Sequence, residues 1–479
     1  MSLKQQAVSG VKWSTVSQVG RQVMQFVTAA IIARLLSPSD FGLVGMATIV
    51  IGFIGLFKDL GTSAAVIHRK NVSDSLLSSI FWVNVIFGIL STVILFLLSP
   101  LVASFYQEPR LTSILKVLSL TFCISGISIL QKAILERNLA FNALAKIEIS
   151  AILSGSVVGI GAALLGFGVW SLVYQTLTLV TVTTALLLVL TRWKPELSLR
   201  LSELKEVSNY SLNLTGFSIF NYFVRNVDYL LVGRWLGSQE LGYYTLAYRL
   251  MLYPLQNISH VIARVMFPVF SKIQDDNAKF RNAYLKVIAT IAMVSFPMMV
   301  GLWVLAEPFI LALFGSQWQP VILILMILAP VGMIQSLETT IGTIYQAKGR
   351  TDWLLRWEFG YGIAITITFL IGLQWGIVGV AVAYAILSFI VTYPSFAIPF
   401  RLIHLRMLDF GTVLWGPLVA SLLMLLVLVG LKFLLPTGLA SGWVLGILIP
   451  IGGIYYLLAS WCINREQIQQ LLAMLGLNK

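Results

Sequence analysis

The sequence predicts an all-α integral membrane protein with about 14 transmembrane helices, arranged as two six-helix lobes of parallel topology followed by two further helices. Three observations carry this prediction. Of the 479 residues, 58% are hydrophobic and 11% are charged, whereas a soluble protein carries roughly 25% charged residues. Apolar runs of about 20 residues, the length that crosses a bilayer, follow one another along the chain. The cations are concentrated in every second connection between these runs.

The candidate spans are separated by short connections, of which the longest hydrophilic one lies near residues 192–206. No connection is long enough to fold as an independent domain. The predicted spans cover residues 13–36, 41–65, 76–98, 111–134, 145–166, 168–191, 207–236, 241–267, 282–306, 319–346, 356–374, 376–400, 411–434 and 441–463.

The orientation follows from the 32 Lys and Arg residues, which exceed the 19 Asp and Glu and give a net charge of +13. With the N-terminus inside and the spans alternating, 22 cations fall in inner segments, 5 in outer segments and 5 within spans. This bias is typical of membrane proteins and predicts that both termini are cytoplasmic. It also removes most of the case for nucleic acid, which such an excess would suggest in a soluble chain.

The remaining compositional features exclude other classes. The first run contains Gln18, Arg21 and Gln25 and is a poor signal-peptide core, so we expect an uncleaved first helix. Cys123 and Cys462 both lie in apolar runs, and two such residues provide neither a disulfide framework nor a metal-binding spacing. We therefore expect no metal and no cofactor.

An internal repeat with an offset of 200 residues aligns segment 33–42 with segment 233–242. Arginine, leucine and glycine match, and Asp40 faces Glu240 in the alignment. A second echo, at an offset of 208, pairs the turns at 168–170 and 376–378. A repeat of six helices predicts parallel topology for the two halves. We predict lobes at 1–199 and 200–405, then two helices and an amphipathic tail at 406–479 whose end, 465–477, lies on the inner membrane surface.

Polar residues form a stripe on one face of the first span, at steps of three and four residues. The positions 200 residues later carry a matching stripe in the seventh span. Because such residues are costly in lipid, we expect both stripes to line a shared water-filled cavity. The two stripes are Ser14, Gln18, Arg21, Gln25 and Thr28, and then Leu214, Ser218, Asn221, Arg225 and Asp228.

These charges have simpler explanations as well. Arg21 has no acid near it in its own helix and could snorkel to the interface. Arg225 and Asp228 are three residues apart and could neutralise each other as a local ion pair.

A third stripe lies in the eighth span and consists of Arg249, Tyr253, Gln256, His260 and Arg264. Arg264 could be an inner-leaflet anchor, and His260 either a packing residue or a proton relay. In the second span Lys58 and Asp59 are adjacent and could instead bracket a helix end. Glu338 is an isolated acid that could bind a coupling ion or pair with an arginine.

The predicted spans thus hold five cations, Arg21, Lys58, Arg225, Arg249 and Arg264, against three acids, Asp59, Asp228 and Glu338. This bias favours an anionic substrate, and the planar fork of arginine suits phosphate.

Several segments resemble polysaccharide exporters of the multidrug/oligosaccharidyl-lipid/polysaccharide (MOP) flippase superfamily, and the resemblance is closest to colanic-acid-type exporters. It covers the first twelve spans and is specific in the order and spacing of its pieces. These pieces are ARLLSPSDFG (33–42), DLG (59–61), AVI (65–67), LERNLAF (135–141), GFGVWSLV (166–173), Asp228, LGY (241–243), VMFPVFS (265–271) and GRTD (349–352).

The resemblance implies a V-shaped pair of lobes and a flippase of the bacterial inner membrane. The implied substrate is an undecaprenyl-diphosphate-linked oligosaccharide, and polysaccharide assembly proteins such as a polymerase are the implied partners. Arg21 and Arg249 occupy places where relatives carry cavity arginines, and Lys58 is a looser match. The energy would come from an H⁺ or Na⁺ gradient or from consumption of the product.

Two alternatives remain open: a cation-coupled multidrug antiporter of the same superfamily, and a membrane polymerase or ligase. The second conflicts with the short outer loops, so no enzyme is predicted. The predicted substrate-binding residues are Arg21, Arg225, Arg249, Gln18, Gln25, Asn221, Asp228, Gln256 and Lys58. The predicted coupling or gating residues are Asp59, His260, Arg264 and Glu338.

Overall fold

The computed structural model describes residues 20–57, 66, 73–196, 219–254, 260–436 and 438–465. All regular secondary structure in these ranges is helical, which confirms the all-α part of the predicted fold class. The chain divides into two compact units, one ending at Gly242 and one beginning at Tyr243. The predicted lobes end near residues 199 and 405 and were derived from the internal repeat, not from contacts. These boundaries stay predictions.

The first unit contains eight helices and the start of a ninth. The bend between α4 and α5 is 42° and interrupts the fourth predicted span. The helices are α1 (20–35), α2 (Pro38–Gly55), α3 (Asp74–Tyr106), α4 (Arg110–Gly126), α5 (Ile129–Arg137), α6 (Phe141–Leu164), α7 (Trp170–Thr191), α8 (219–235) and α9 (Gly237–Pro254).

Small residues set the helix contacts of the first unit. At the crossing of α3 and α4, a Cβ on Gly88 would lie 2.8 Å from the carbonyl oxygen of Phe122, and one on Gly126 would lie 2.8 Å from that of Asn84. Backbones that approach this closely are typical of helices packed in lipid. The α6–α7 turn uses Gly166 and Gly168, both with positive φ, a conformation that glycine adopts without steric cost.

The second unit contains the rest of α9 and nine further helices. The short α12 occupies what was predicted to be a plain outer connection. The helices are α10 (His260–Lys272), α11 (Asn277–Val304), α12 (Ala306–Leu313), α13 (Pro320–Glu338), α14 (Ile341–Ala347), α15 (Thr351–Gly372), α16 (Gly376–Ile403), α17 (Met407–Leu434) and α18 (Ser441–Ile463).

Helix α11 is the centre of the second unit. Its Ser295 hydroxyl lies 2.8 Å from that of Ser336 in α13. The two C-terminal helices α17 and α18 also pack on it, and the buried Tyr456 hydroxyl donates a hydrogen bond of 2.8 Å to the carbonyl of Met293. These last helices, predicted to be an appendage to the repeat, are therefore part of the core of this unit.

In the described ranges, every predicted span coincides with helix, but not every one of these helices is long and apolar enough to cross a membrane. Nine helical segments in these ranges are, or ten if the bent pair α4–α5 counts as one span. One of the nine, Thr351–Ile403, contains both α15 and α16. The chain is thus a multi-pass membrane protein, and the figure of 14 spans stays a prediction. The predicted amphipathic tail lies outside the described residues from 466 onward.

Candidate functional site

The polar stripe of α1 contacts α6. Arg21 forms an ion pair with Glu148 through Nη1, and Thr28 donates a hydrogen bond of 2.8 Å to Ser156. Gln25 lies between them in sequence and is exposed. Part of the predicted stripe therefore serves packing between helices. The predicted residues Gln18, Lys58, Asp59 and Gln256 lie outside the described residues, as do the side chains of His260 and Arg264.

Glu148 is the residue that the sequence analysis missed at this site. It lies close to the predicted start of the fifth span at 145 and was counted with the inner loops. The structure places it inside α6, which begins at Phe141. This adds an acid to the span inventory, together with the cation Lys146 of the same helix, so the predicted excess of cations is unchanged. It also gives Arg21 a partner, where the sequence offered a snorkelling side chain as the simpler explanation.

Helix α8 carries the second predicted stripe. Arg225 is exposed, and its Nε donates a hydrogen bond of 3.0 Å to the side-chain oxygen of Asn221, one turn earlier. Asp228 is only 3% exposed. The two charges of the predicted local pair thus lie in different surroundings, and their pairing stays a prediction.

Two further candidates lie in the second unit. Arg249 in α9 is exposed. Glu338, the last residue of α13, accepts a hydrogen bond of 2.9 Å from the hydroxyl of Ser395 in α16. The two explanations offered for Glu338, a coupling-ion site and an arginine partner, stay predictions. No group of three metal-ligating side chains occurs in the part of the chain that the structure describes.

The turns that begin α2 and α9, which the repeat aligns, lie against each other within the first unit. A Cβ on Gly42 would lie 1.6 Å from the carbonyl oxygen of Ser238, and a Cβ on Gly242 would lie 1.9 Å from that of Pro38. The offset of 200 that relates the sequences also relates these two contacts. We call this pair of turns, residues 38–42 and 238–242, the paired turns.

Polar side chains join the paired turns to the α3–α4 connection. The hydroxyls of Ser39 and Ser238 are 2.9 Å apart. Ser238 donates 2.6 Å to Glu108, and Arg110 donates 3.1 Å to Ser39. Ser37 caps α2 in a capping box with Asp40. The segment that resembles the exporters, residues 33–42, therefore stabilises the turn that begins α2 and supplies one side of the paired turns.

The other segments behind the resemblance are structural as well. Arg137, from the LERNLAF segment, donates a hydrogen bond of 2.8 Å to the carbonyl of Val66 in the AVI segment. In the second unit Lys348 bonds the side-chain oxygen of Asn277 at 2.7 Å and holds the connection before the GRTD segment. These two residues hold neighbouring segments together, so their segments identify a family better than a substrate.

Comparison with known proteins agrees with the resemblance. Residues 31–323 match the family described as polysaccharide biosynthesis protein. The chain is 30% identical over 403 residues to the lipopolysaccharide biosynthesis protein WzxC of Escherichia coli (strain K12), covering 83% of this chain and 81% of that protein. It is also 30% identical over 391 residues to the teichuronic acid biosynthesis protein TuaB of Bacillus subtilis (strain 168), covering 81% of each.

The fold matches solved transporter structures. An inward closed conformation of the lipid II flippase MurJ has a TM-score of 0.75 at 17% identity, and covers 95% of this chain and 99% of that one. An inward-facing multidrug transporter of the MATE family has a TM-score of 0.66 at 18% identity, and covers 80% of this chain and 94% of that one. The matching family model and these sequence relatives show that the chain belongs to the polysaccharide biosynthesis protein family.

Proposed function

We propose that the chain is a flippase that moves an undecaprenyl-diphosphate-linked oligosaccharide from the cytoplasmic to the outer leaflet by alternating access. The observation that carries this proposal is the set of arginines on helices of the predicted spans, Arg21 on α1, Arg225 on α8 and Arg249 on α9, all at least partly exposed. Because an arginine costs up to about 2.5–3.5 kcal/mol at the membrane centre on insertion scales, three of them in predicted spans favour an anionic ligand.

The names of related proteins support transport over enzymatic chemistry. One relative, 30% identical over 308 residues, is a succinoglycan biosynthesis transport protein of Rhizobium meliloti (strain 1021). Another, 26% identical over 384 residues, is a probable glycan biosynthesis flippase of Haloferax volcanii. The chain is a transporter and not an enzyme. Its cargo, by this inference, is an O-antigen, capsule or exopolysaccharide repeat unit.

The chemistry of the exposed groups suggests how the cargo is held. A diphosphate offers several charged oxygens, and arginine binds such groups through two parallel N–H bonds. The amides of Gln25 and Asn221 have both donors and acceptors for sugar hydroxyls, and Gln18 and Gln256 extend this set in the sequence. The prenyl tail stays in the lipid, because its transfer into a polar space would be unfavourable.

On the predicted topology, the paired turns lie at the outer end of the first unit. We take them as the contact that closes the outer side while cargo enters from the cytoplasm. Their separation would open the way out. The serine hydroxyls and the close glycine contacts there are the interactions that would have to separate.

Coupling and location complete the proposal. Glu338 is the proposed site for an H⁺ or Na⁺ gradient, because it is a carboxylate inside the helical unit whose hydrogen bond comes from a neutral hydroxyl. The protein lies in the bacterial inner membrane with both termini in the cytoplasm, as the cation bias predicts. A polysaccharide polymerase and other assembly proteins are the proposed partners.

The test is a strain whose surface polysaccharide depends on this protein. Arg21→Ala, Arg225→Ala and Arg249→Ala should each lower polysaccharide output, while Arg401→Ala, an exposed arginine near the end of α16, should not. Normal output from all three variants at normal expression would overturn the arginine site. Export of a cationic dye by vesicles, unaffected by these changes, would instead favour the multidrug antiporter.

A further inference from the structure

Arg21 is already bound to a carboxylate in the structure. Its Nη1 contacts Glu148 on α6, and the side chains are 26% and 35% exposed. A guanidinium has five N–H donors, so an incoming ligand can reach the rest of the group. A phosphate that binds Arg21 would therefore interact with a guanidinium whose charge is partly neutralised by Glu148, and would lie close to that carboxylate.

The pair is held by the packing of the two helices. Thr28 bonds Ser156 at 2.8 Å, and a Cβ on Gly159 would lie 3.2 Å from the side chain of Ile32. These contacts advance along α1 and α6 in the same direction, so the two helices run parallel. The first and fifth predicted spans have this same direction. The register of the two helices therefore places Glu148 beside Arg21.

A fixed carboxylate beside a phosphate-binding arginine has two linked effects. It lowers affinity, because a second anion competes for the same donors and repels the first. It also speeds release, because the carboxylate repels the bound phosphate and takes up the N–H donors that the phosphate leaves. A transported substrate must bind tightly enough to enter the site and weakly enough to leave it. A carboxylate that always competes for the arginine limits the affinity in this way.

We propose that Glu148 is a positioning residue that competes with the substrate diphosphate for Arg21 and so sets its affinity and its rate of release. The proposal rests on the function inferred above. It predicts that neutralising Glu148 increases the affinity for the diphosphate and lowers the rate of turnover at the same time. If Glu148 only stabilised the fold, the same substitution would lower both the affinity and the rate.

The experiment measures the dissociation constant of farnesyl diphosphate, used as a short prenyl diphosphate probe, with the purified full chain in nanodiscs. Glu148→Gln should bind about five- to tenfold more tightly than the wild type, a change of about 1–1.4 kcal/mol. Arg21→Gln should bind more weakly. In the double variant the gain from Glu148→Gln should vanish, because the arginine for which the carboxylate competes is gone. Gly161→Ala is the matched control on the same helix, because an added Cβ there meets nothing within 4 Å, and it should stay within about twofold of wild type.

The same variants are then tested in the polysaccharide-dependent strain, where Glu148→Gln should lower output despite its higher affinity. An unchanged or weaker affinity in Glu148→Gln, or an equal gain without Arg21, would overturn the competition. If Glu148→Gln does not fold, Glu148→Asp replaces it, and its shorter reach should give a smaller gain that again needs Arg21. Failure of the wild type to bind the probe, or binding that survives loss of Arg21, Arg225 and Arg249 together, would instead overturn the proposed function.

Discussion

Gly42→Ala is expected to drive the paired turns apart. The added Cβ would lie 1.6 Å from the carbonyl oxygen of Ser238 and 2.6 Å from its carbonyl carbon. Unbonded carbon and oxygen atoms approach to about 3.3 Å, so the backbones must separate by roughly 1.5 Å or more. Both partners at this contact are main-chain atoms, which cannot rotate away as a side chain could.

The expected cost is that of overpacking, typically about 1–3 kcal/mol. Alanine also favours a helix over glycine by roughly 1 kcal/mol, but this gain is common to the paired and separated states and cancels between them. A shift of about 2 kcal/mol lowers the ratio of paired to separated turns roughly thirtyfold. Gly242→Ala, whose Cβ would lie 1.9 Å from the carbonyl oxygen of Pro38, should have a similar effect.

The assay is oxidative cross-linking of Ser39→Cys with Ser238→Cys, since the native hydroxyls are 2.9 Å apart. The natural cysteines Cys123 and Cys462 are first replaced by serine. Membranes with this pair should cross-link rapidly, and addition of Gly42→Ala should slow the reaction by up to about thirtyfold.

The matched control is Gly161→Ala in α6, where a Cβ meets nothing within 4 Å, and its cross-linking rate should equal that of the parent. Equal rates for Gly42→Ala and Gly161→Ala would refute the reasoning, since the contact would then be absent or freely deformable in the membrane. A parent pair that does not cross-link would show that the paired turns are not populated.

Three further predictions concern stability and are checked by thermal unfolding of the purified protein. Arg137→Ala should cost about 1.5–3 kcal/mol, because it removes the charged hydrogen bond to Val66, and Arg137→Lys should recover part of it. Tyr456→Phe should cost about 1 kcal/mol through loss of its buried bond to α11; an unchanged midpoint would argue against docking of α18 on that helix. Backbone and side-chain hydrogen bonds from Lys279 hold the pKa of Asp276 below its ordinary value of 3.8. The ionised carboxylate should therefore stabilise the folded protein at pH values above 3.8. This contribution should be lost as the pH falls through the lowered pKa of the folded state. Asp276→Ala should accordingly lower the midpoint at neutral pH and converge with wild type in strong acid.

Most of the helices could be predicted, because they are apolar runs that end at a polar or glycine-containing turn. The 168–170 and 376–378 turns illustrate this, since Gly168 and Gly376 both have positive φ. The bend between α4 and α5 could not be predicted, because no proline marks it. Nor could α12, because a short apolar helix in a connection has the same composition as the end of a span.

The candidate site was predictable in its residue types and less so in its partners. A period of three and four residues identifies the polar face of α1, but it does not say which helix that face meets. Glu148 was missed because a span boundary placed by hydropathy is uncertain by several residues, and an acid near that boundary is then assigned to the loop. The packing of α1 against α6 in the structure shows that Glu148 is the ion-pair partner of Arg21.

The reciprocal contact of the paired turns also bears on how such a chain arises. Each turn presents one glycine and one carbonyl to its counterpart, so the surface is complementary to a copy of itself, as in the isologous interface of a symmetric dimer. A half-length ancestor could have met a second copy through this one surface before the two were joined in a single chain. In the joined protein, neither glycine can be enlarged without moving the main chain of the other turn, so the two halves constrain each other at this contact.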